Sequence, residues 1–338
     1  MPRIIPLIMS RLAPLFVAFL AAAPAAAQDF YRGKTITFVL GYGPGGGVDS
    51  AGRLIGRHLP KFIAGKPEIV VQNMEGAGGV VSGNFLGGRA PRDGLTIGLP
   101  GRSWFVEGIV KTQGVTFDPT KLSYVGSTGT NNTLLWLRGS LGINTLEDLK
   151  KHPEKLPTAG IGPGTPTVTV PNMLAQYGFP LRTVLGYNSS ARALLAIEQG
   201  EVGAYFTPED SFAQRPDLVT RKIVVPVLQS KPKVAGVALL KDVVPAKDQA
   251  VLGLFMAYDD VGLMIVAPPE VPADRLEILR KAFLEMCADA EFQADAAKVG
   301  EPVGAPIPGA QLARQMDALN ALATPDVVAD YRRLGTAK

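Results

Sequence analysis

The chain has 338 residues, 46% hydrophobic and 19% charged, with 38 Gly and 28 Pro, a composition that excludes disorder and at this length points to two lobes rather than one core. Lysine and arginine total 34 against 30 acidic residues, a net charge of +4 with no basic tract, which argues against nucleic acid as a partner. One cysteine, Cys287, and two histidines, His58 and His152, cannot close an intrachain disulfide or build a zinc site, and leave little for triad chemistry. Arg3 and Arg11 are followed by an apolar run over 12–23, and the small residues Ala25 and Ala27 then satisfy the A-x-A cleavage rule. Residues 1–27 therefore read as an export signal, with Met1 or Met9 as alternative starts, and the mature chain begins at Gln28. The run is too short and too Ala-rich for a lasting bilayer span. Its removal takes two arginines and no acid, lowering the net charge from +4 to +2.

A strand–loop–helix unit then recurs. Residues 35–40 form a β-branched run that passes into a loop with glycines at 41, 43, 45, 46 and 47. Residues 48–62 follow with helical spacing: Leu54, Ile55, Leu59 and Phe62 share one side, while Arg53, Arg57 and Lys61 share another. A second strand over 69–71 leads into the glycine-rich loop 73–79 and a helix ending near Arg89, and a third strand spans 95–99. The pattern returns at 158–161 before the loop 162–165, and at 184–187 before Asn188-Ser189-Ser190 and a helix over 191–199. This alternation predicts parallel sheets with crossover helices. Near the end, Pro272 and Asp274 open a helix with Leu276, Leu279, Phe283 and Cys287 on one stripe, which makes Cys287 a packing residue.

Glycine loops between a strand and a helix N-terminus gather unpaired backbone N–H groups at the positive end of the helix dipole, so they hold an anion without a cationic side chain. Four such loops point to a carboxylate-binding cleft; the alternative is that the glycines serve only tight turns and close helix–strand contact. Gly41-x-Gly43-x-x-Gly46 also spells the dinucleotide fingerprint. Against that reading, Asp49 in the next first turn would repel a pyrophosphate, the second strand ends in Gln72-Asn73 rather than an acid, and the chain is exported. No Walker lysine, Gly-x-Ser-x-Gly elbow or His-Glu-x-x-His occurs, so no enzyme activity, metal, nucleotide or other cofactor is expected.

Residues 34–39, Pro44-Gly45-Gly46-Gly47-Val48-Asp49 and Ala51-x-Arg53-Leu54 resemble the opening of the solute receptors of tripartite tricarboxylate transporters, the Bug and TctC-like proteins. Val70-Val71-Gln72-Asn73, Gly76-Ala77-Gly78-Gly79 and Asp93-Gly94-Leu95-Thr96-Ile97 follow in the family's order and spacing, as do Gly162-Pro163-Gly164-Thr165, Tyr187-Asn188-Ser189-Ser190-Ala191 and the segment 267–279. The resemblance implies a two-lobed α/β Venus flytrap of the type II periplasmic-binding-protein kind, with two crossing hinge strands and closure over the ligand. The lobes are expected at 29–131 plus 250–338 and at 132–249, with crossings near Asn131-Asn132-Thr133 and Val251-Leu252-Gly253. The implied ligand contacts are Tyr42, Gly43, Pro44, Gly45, Gly46 and Asp49 from the first lobe and Gly164, Thr165, Thr167, Tyr187 and Ser190 from the second. Asp49 either receives an ammonium or hydroxyl group or serves only as a first-turn acid.

The chain also departs from the family pattern. Pro166-Thr167-Val168 stands where many relatives carry Ser-Ser-His, Ser189-Ser190 where they carry Gly-Ser, and Phe206-Thr207-Pro208-Glu209-Asp210 replaces a shorter neutral turn, bringing an acid toward the pocket. Gly101-Arg102-Ser103-Trp104 places one arginine near the cleft, either as a bidentate carboxylate ligand or as a solvated loop residue. The resemblance implies a periplasmic receptor that hands a small organic acid to integral membrane transporter subunits; a receptor that reports to a sensor kinase is the alternative. With no ligand cluster for a metal and only a lone dinucleotide fingerprint, the mature chain is expected to be a monomer.

Overall fold

The computed structural model describes residues 30–187, 189–212, 215–300 and 303–336; the segment read as an export signal lies outside the described residues. Twelve strands follow one another in the described chain. They are β1 (Thr35–Leu40), β2 (Glu68–Asn73), β3 (Thr96–Leu99), β4 (Ser123–Ser127), β5 (Thr133–Arg138), β6 (Leu156–Gly160), β7 (Leu181–Leu185), β8 (Ala204–Pro208), β9 (Val224–Gln229), β10 (Ala238–Leu239), β11 (Met264–Ala267) and β12 (Ile307–Pro308). They form two six-stranded sheets, ordered β12-β4-β11-β3-β1-β2 and β10-β9-β5-β8-β6-β7, one per lobe of a two-lobed α/β fold.

The expected helices are present: Gly47–His58 continues as a tight turn to Phe62, and Ser190–Gln199 and Ala273–Ala288 follow at their predicted places. Cys287 is buried, and burial pushes its thiol up to about 12. No helix among the described residues is long and apolar enough to cross a membrane.

The sheets are not wholly parallel. β1 is parallel to β2 and β3, and β6 to β7 and β8, as the alternation predicts. β5 and β11, the first strands after each crossing, run antiparallel to both neighbours. The glycine loops at the carboxyl ends of the parallel strands face the other lobe. A chain crossing between lobes therefore enters the sheet from that end and must run the opposite way.

The second crossing also differs from expectation. Val251-Leu252-Gly253, read as a crossing strand, lies inside the helix Gln249–Val261. A continuous apolar run gives no periodicity to separate strand from helix, and this one is rich in Leu, Ala and Met, which favour helix. The helix is buried over most of its length, and Phe255 packs on Tyr331 with ring centroids 4.7 Å apart and the planes tilted by 49°. Tyr331 belongs to the last helix, Pro325–Gly335, which packs on Pro166–Gln176 of the second lobe: Asn172 Nδ2 donates to the Gly335 carbonyl at 2.8 Å. One hydrophobic core thus runs through both lobes, from Trp104 and Phe105 to Met173 and Phe255.

The two crossings meet at a buried polar cluster. Asp259 accepts from Thr133 Oγ1 at 2.7 Å, from the Thr133 N–H at 3.2 Å and from Ser230 Oγ, while the Asn131 N–H donates to the Asp259 carbonyl at 2.8 Å. Lys231 pairs with Asp260 beside it. Burial outweighs these donors and pushes the Asp259 carboxyl up to about 6. A folded-state value above the unfolded one contributes stability below about pH 4 that is lost as pH rises toward 6, on the order of 3 kcal/mol. Urea unfolding of wild type and Asp259→Asn at pH 4 and 7 is expected to show the difference moving in the variant's favour by about that amount. A difference independent of pH would contradict it.

Candidate functional site

The first glycine loop is built from below by Asp49. Gly41 lies so close to the Pro100 carbonyl that a Cβ there would stand 1.9 Å from its oxygen, and Gly45 has φ +84°, so neither position accepts a side chain without strain. From the first turn of Gly47–His58, Asp49 Oδ2 accepts the Gly45 N–H at 3.0 Å and Arg53 Nε at 2.9 Å, and Oδ1 accepts Asn73 Nδ2 at 2.8 Å. Asn73 Nδ2 also donates to the Tyr42 carbonyl at 2.7 Å. Burial raises the Asp49 pKa, but the hydrogen bonds from Arg53, Asn73 and Gly45 win and hold it below the usual carboxylate value. The ionised carboxylate ties the loop to the second strand. Its donors are all within the protein, and it does not line the cleft.

Two helix starts of the second lobe face this loop. Pro166–Gln176 begins after Thr165, whose hydroxyl donates to the Gly162 carbonyl at 2.6 Å and lies 2.7 Å from Thr167 Oγ1. Ser190–Gln199 begins after Ser189, whose Oγ accepts the Arg192 N–H. The first-turn amides of Gly47, Val48, Thr167, Ser190 and Ala191 lie beyond any intrahelical acceptor, as at every helix start. All five residues line one cavity of 370 Å³ between the lobes.

The lobes are shut across this cavity. A Cβ on Gly46 would stand 3.9 Å from Ser189 Cβ, and one on Gly78 3.1 Å from Thr165 Cγ2. Gly164 abuts the buried Glu107, whose Oε1 accepts the Tyr331 hydroxyl at 2.9 Å. An ion pair spans the gap: Arg102 Nη2 of the first lobe lies 2.8 Å from Asp210 Oδ2 of the second.

Of the residues named from the sequence, Tyr42, Gly43, Gly45, Gly46, Arg102, Thr165, Thr167 and Ser190 come together around the cavity. Pro44, Asp49, Gly164 and Tyr187 do not line it. Pro44 is exposed on the outside of the loop. Gly164 is turned onto Glu107, and Tyr187 is buried in the second lobe's core with its hydroxyl donating to Glu201 at 2.6 Å.

The cavity also has walls that the sequence reading missed: Leu194, Leu195, Tyr205, Tyr258, Arg215 and Val299. Tyr258 comes from the crossing helix, and its hydroxyl donates to Thr133 Oγ1 in the Asp259 cluster, so the cavity wall and the crossing are hydrogen-bonded to each other. The adjacent leucines in the middle of the 190–199 helix were the legible signal. Leu194 is 4% exposed and Leu195 is 41% exposed.

Arg215 makes paired hydrogen bonds to Glu198 at 2.8 and 3.1 Å and to Asp217 at 3.0 Å, which raises its pKa. Burial pushes the Tyr42 hydroxyl up to about 12, against the lowering effect of nearby Arg102. Among the described residues, His58, Asp289 and Glu291 form a compact group that could hold a metal ion. His58 closes the far end of the helix that starts at the cleft, and its ring nitrogens already lie 3.2 Å from Asp295 and 3.4 Å from Lys61.

Arg102→Ala would leave the Asp210 carboxylate unpaired. Because the two side chains keep 16% and 15% of their surface exposed, the loss of stability is expected at about 1–3 kcal/mol, below that of a fully buried pair. Urea unfolding of both single variants and the Arg102→Ala/Asp210→Ala double variant checks this: the double is expected to lose less than Arg102→Ala alone. Strictly additive losses would contradict it.

No family model matches the chain. A UPF0065 protein of Bordetella pertussis is 27% identical over 197 residues, 56% of this chain and 60% of that protein. BugT of Bordetella pertussis is 36% identical over 98 residues, 28% of this chain and 29% of BugT. The chain thus spans less than two thirds of the length of the curated relatives it matches. Among solved structures, MatC of Rhodopseudomonas palustris with bound malate has a TM-score of 0.68 at 18% identity, covering 87% of this chain and 99% of MatC. The periplasmic binding protein BugD has a TM-score of 0.67 at 18% identity, covering 91% of this chain and all (100%) of BugD. An R. palustris protein, Rpa4515, with adipate has a TM-score of 0.66 at 18% identity, covering 89% and 96%. The sequence matches agree with the resemblance to the Bug proteins over part of the chain, and the solved structures share its fold.

Proposed function

We propose, taking the likeness to the Bug and TctC-like receptors as premise, that this chain is an extracytoplasmic solute-binding protein. It captures a small organic carboxylate between its lobes and delivers it to a tripartite tricarboxylate-type membrane transporter. The observation that carries this reading is the convergence of three helix starts, one from the first lobe and two from the second, on a single cavity. Their free amides and aligned dipoles favour a bound anion. Contacts from both lobes also make the site complete only when the lobes are shut, so binding and closure are coupled. MatC and Rpa4515, of like fold, hold malate and adipate. In this reading the protein is a periplasmic monomer, exported through residues 1–27, and binds without chemistry.

A thermal-shift screen of organic acids on the purified protein tests the reading. A ligand at 100 times its dissociation constant stabilises the native state by about 2.7 kcal/mol, a shift of several degrees for a chain of this size. A broad panel of mono-, di- and tricarboxylates that left the melting temperature unchanged would overturn it.

A further inference from the structure

We infer that the cleft is built for a carboxylate on an apolar body, a monocarboxylic acid bearing a ring or a medium-length chain, rather than for a small dicarboxylate. The inference rests on the carboxylate-receptor reading above and deepens it.

Charge is the first reason. A second ligand carboxylate needs a second source of positive potential. Both arginines that line the cavity already hold protein carboxylates, Arg102 that of Asp210 and Arg215 those of Glu198 and Asp217. Asp210 itself lines the cavity and would repel a second anion. What remains for the ligand is the group of helix starts, whose partial charges of about half a unit each suit one carboxylate.

The walls are the second reason. Val48, Ile161, Leu194, Leu195 and Val299 contribute apolar surface from both lobes, with the rings of Tyr205 and Tyr258 beside them. Leu195, one of the lining residues, keeps 41% of its surface exposed, apolar area that a ligand in the cavity would help to cover. The cavity of 370 Å³ is more than twice the roughly 150 Å³ that holds a benzene molecule in an apolar cavity. A four-carbon diacid would leave much of it filled with water against leucine and tyrosine faces.

Titration calorimetry with 3-phenylpropanoate and adipate as probes, on wild type and Leu195→Gln, tests the inference. Leu195 is partly exposed, so the variant is expected to fold, which its melting temperature checks. Wild type is expected to bind the phenyl monoacid at least about tenfold more tightly than adipate, and Leu195→Gln to weaken the monoacid about fivefold and adipate less than about twofold. Adipate binding as tightly as the monoacid, or a monoacid affinity indifferent to Leu195→Gln, would overturn the inference and leave the carboxylate reading standing. Binding of neither acid, together with a thermal-shift screen without a hit, would overturn both.

Discussion

Gly46→Val is expected to lower the affinity for the bound acid by about 100-fold or more while leaving the protein folded. Gly46 precedes the first helix with φ −93° and ψ 172°, an extended conformation that a β-branched residue adopts without strain. Its Cβ would meet only Ser189 Cβ, at 3.9 Å across the cleft. The two methyl groups of valine would then occupy the space between the facing helix starts and hold an anion away from the amides of Gly47 and Val48. Losing charge-assisted hydrogen bonds at that distance costs on the order of 3 kcal/mol, which is about 100-fold. Gly45→Val is the less clean probe, because φ +84° at that position strains any side chain and would rebuild the loop. Calorimetry together with a melting curve for Gly46→Val checks the prediction; wild-type affinity would leave this loop a structural turn only.

Gly262→Ala is expected to carry the largest loss of stability, about 3 kcal/mol or more. Gly262 ends the crossing helix with φ 57° and ψ −145°, a conformation that L residues rarely adopt. A Cβ there would stand 1.8 Å from the carbonyl oxygen of Gly129, itself at φ +127° in the other crossing. The obstacle is backbone, so no side chain can swing aside, and relief would require the two crossings to separate. Gly253→Ala is the control, since it lies in the same helix with open space around its Cβ. It should stabilise by up to about 1 kcal/mol through helix propensity. Urea unfolding of both variants gives the comparison, and equal small effects would mean that the crossings are not in rigid contact.

The glycine loops were legible in the sequence because their signal is local: a β-branched run, glycines where the backbone must turn, then helical spacing within some 25 residues. The helix Gly47–His58 and the starts of Pro166–Gln176 and Ser190–Gln199 follow from such signals. What the sequence hid was long-range or ambiguous in period. The crossing helix Gln249–Val261 carries an unbroken apolar run over 250–257, so its pattern could not be told from a buried strand, and Tyr258 went unseen as a wall of the cavity. Arg102 was visible as an odd residue after the third strand, but its partner Asp210 is 108 positions away. Only the packed lobes show that its charge is already met. Asp49 was legible as a first-turn acid, yet its work depends on Asn73 arriving from the end of β2. Tyr187 sits beside a loop that faces the cleft, but its side chain packs into the core, because the chain leaves β7 at Leu185 and turns at Gly186, φ +118°, before it reaches Tyr187.

The account stands on one claim, that a carboxylate is held at the helix starts between the lobes, and a matched pair of ligands tests it most directly. Titration calorimetry of the wild-type protein with the best acid from the screen, and with the carboxamide of that same acid, changes only the charge presented to the amides. The account predicts one acid bound per chain and a carboxamide weaker by about 100-fold. Equal affinities for acid and carboxamide would contradict it.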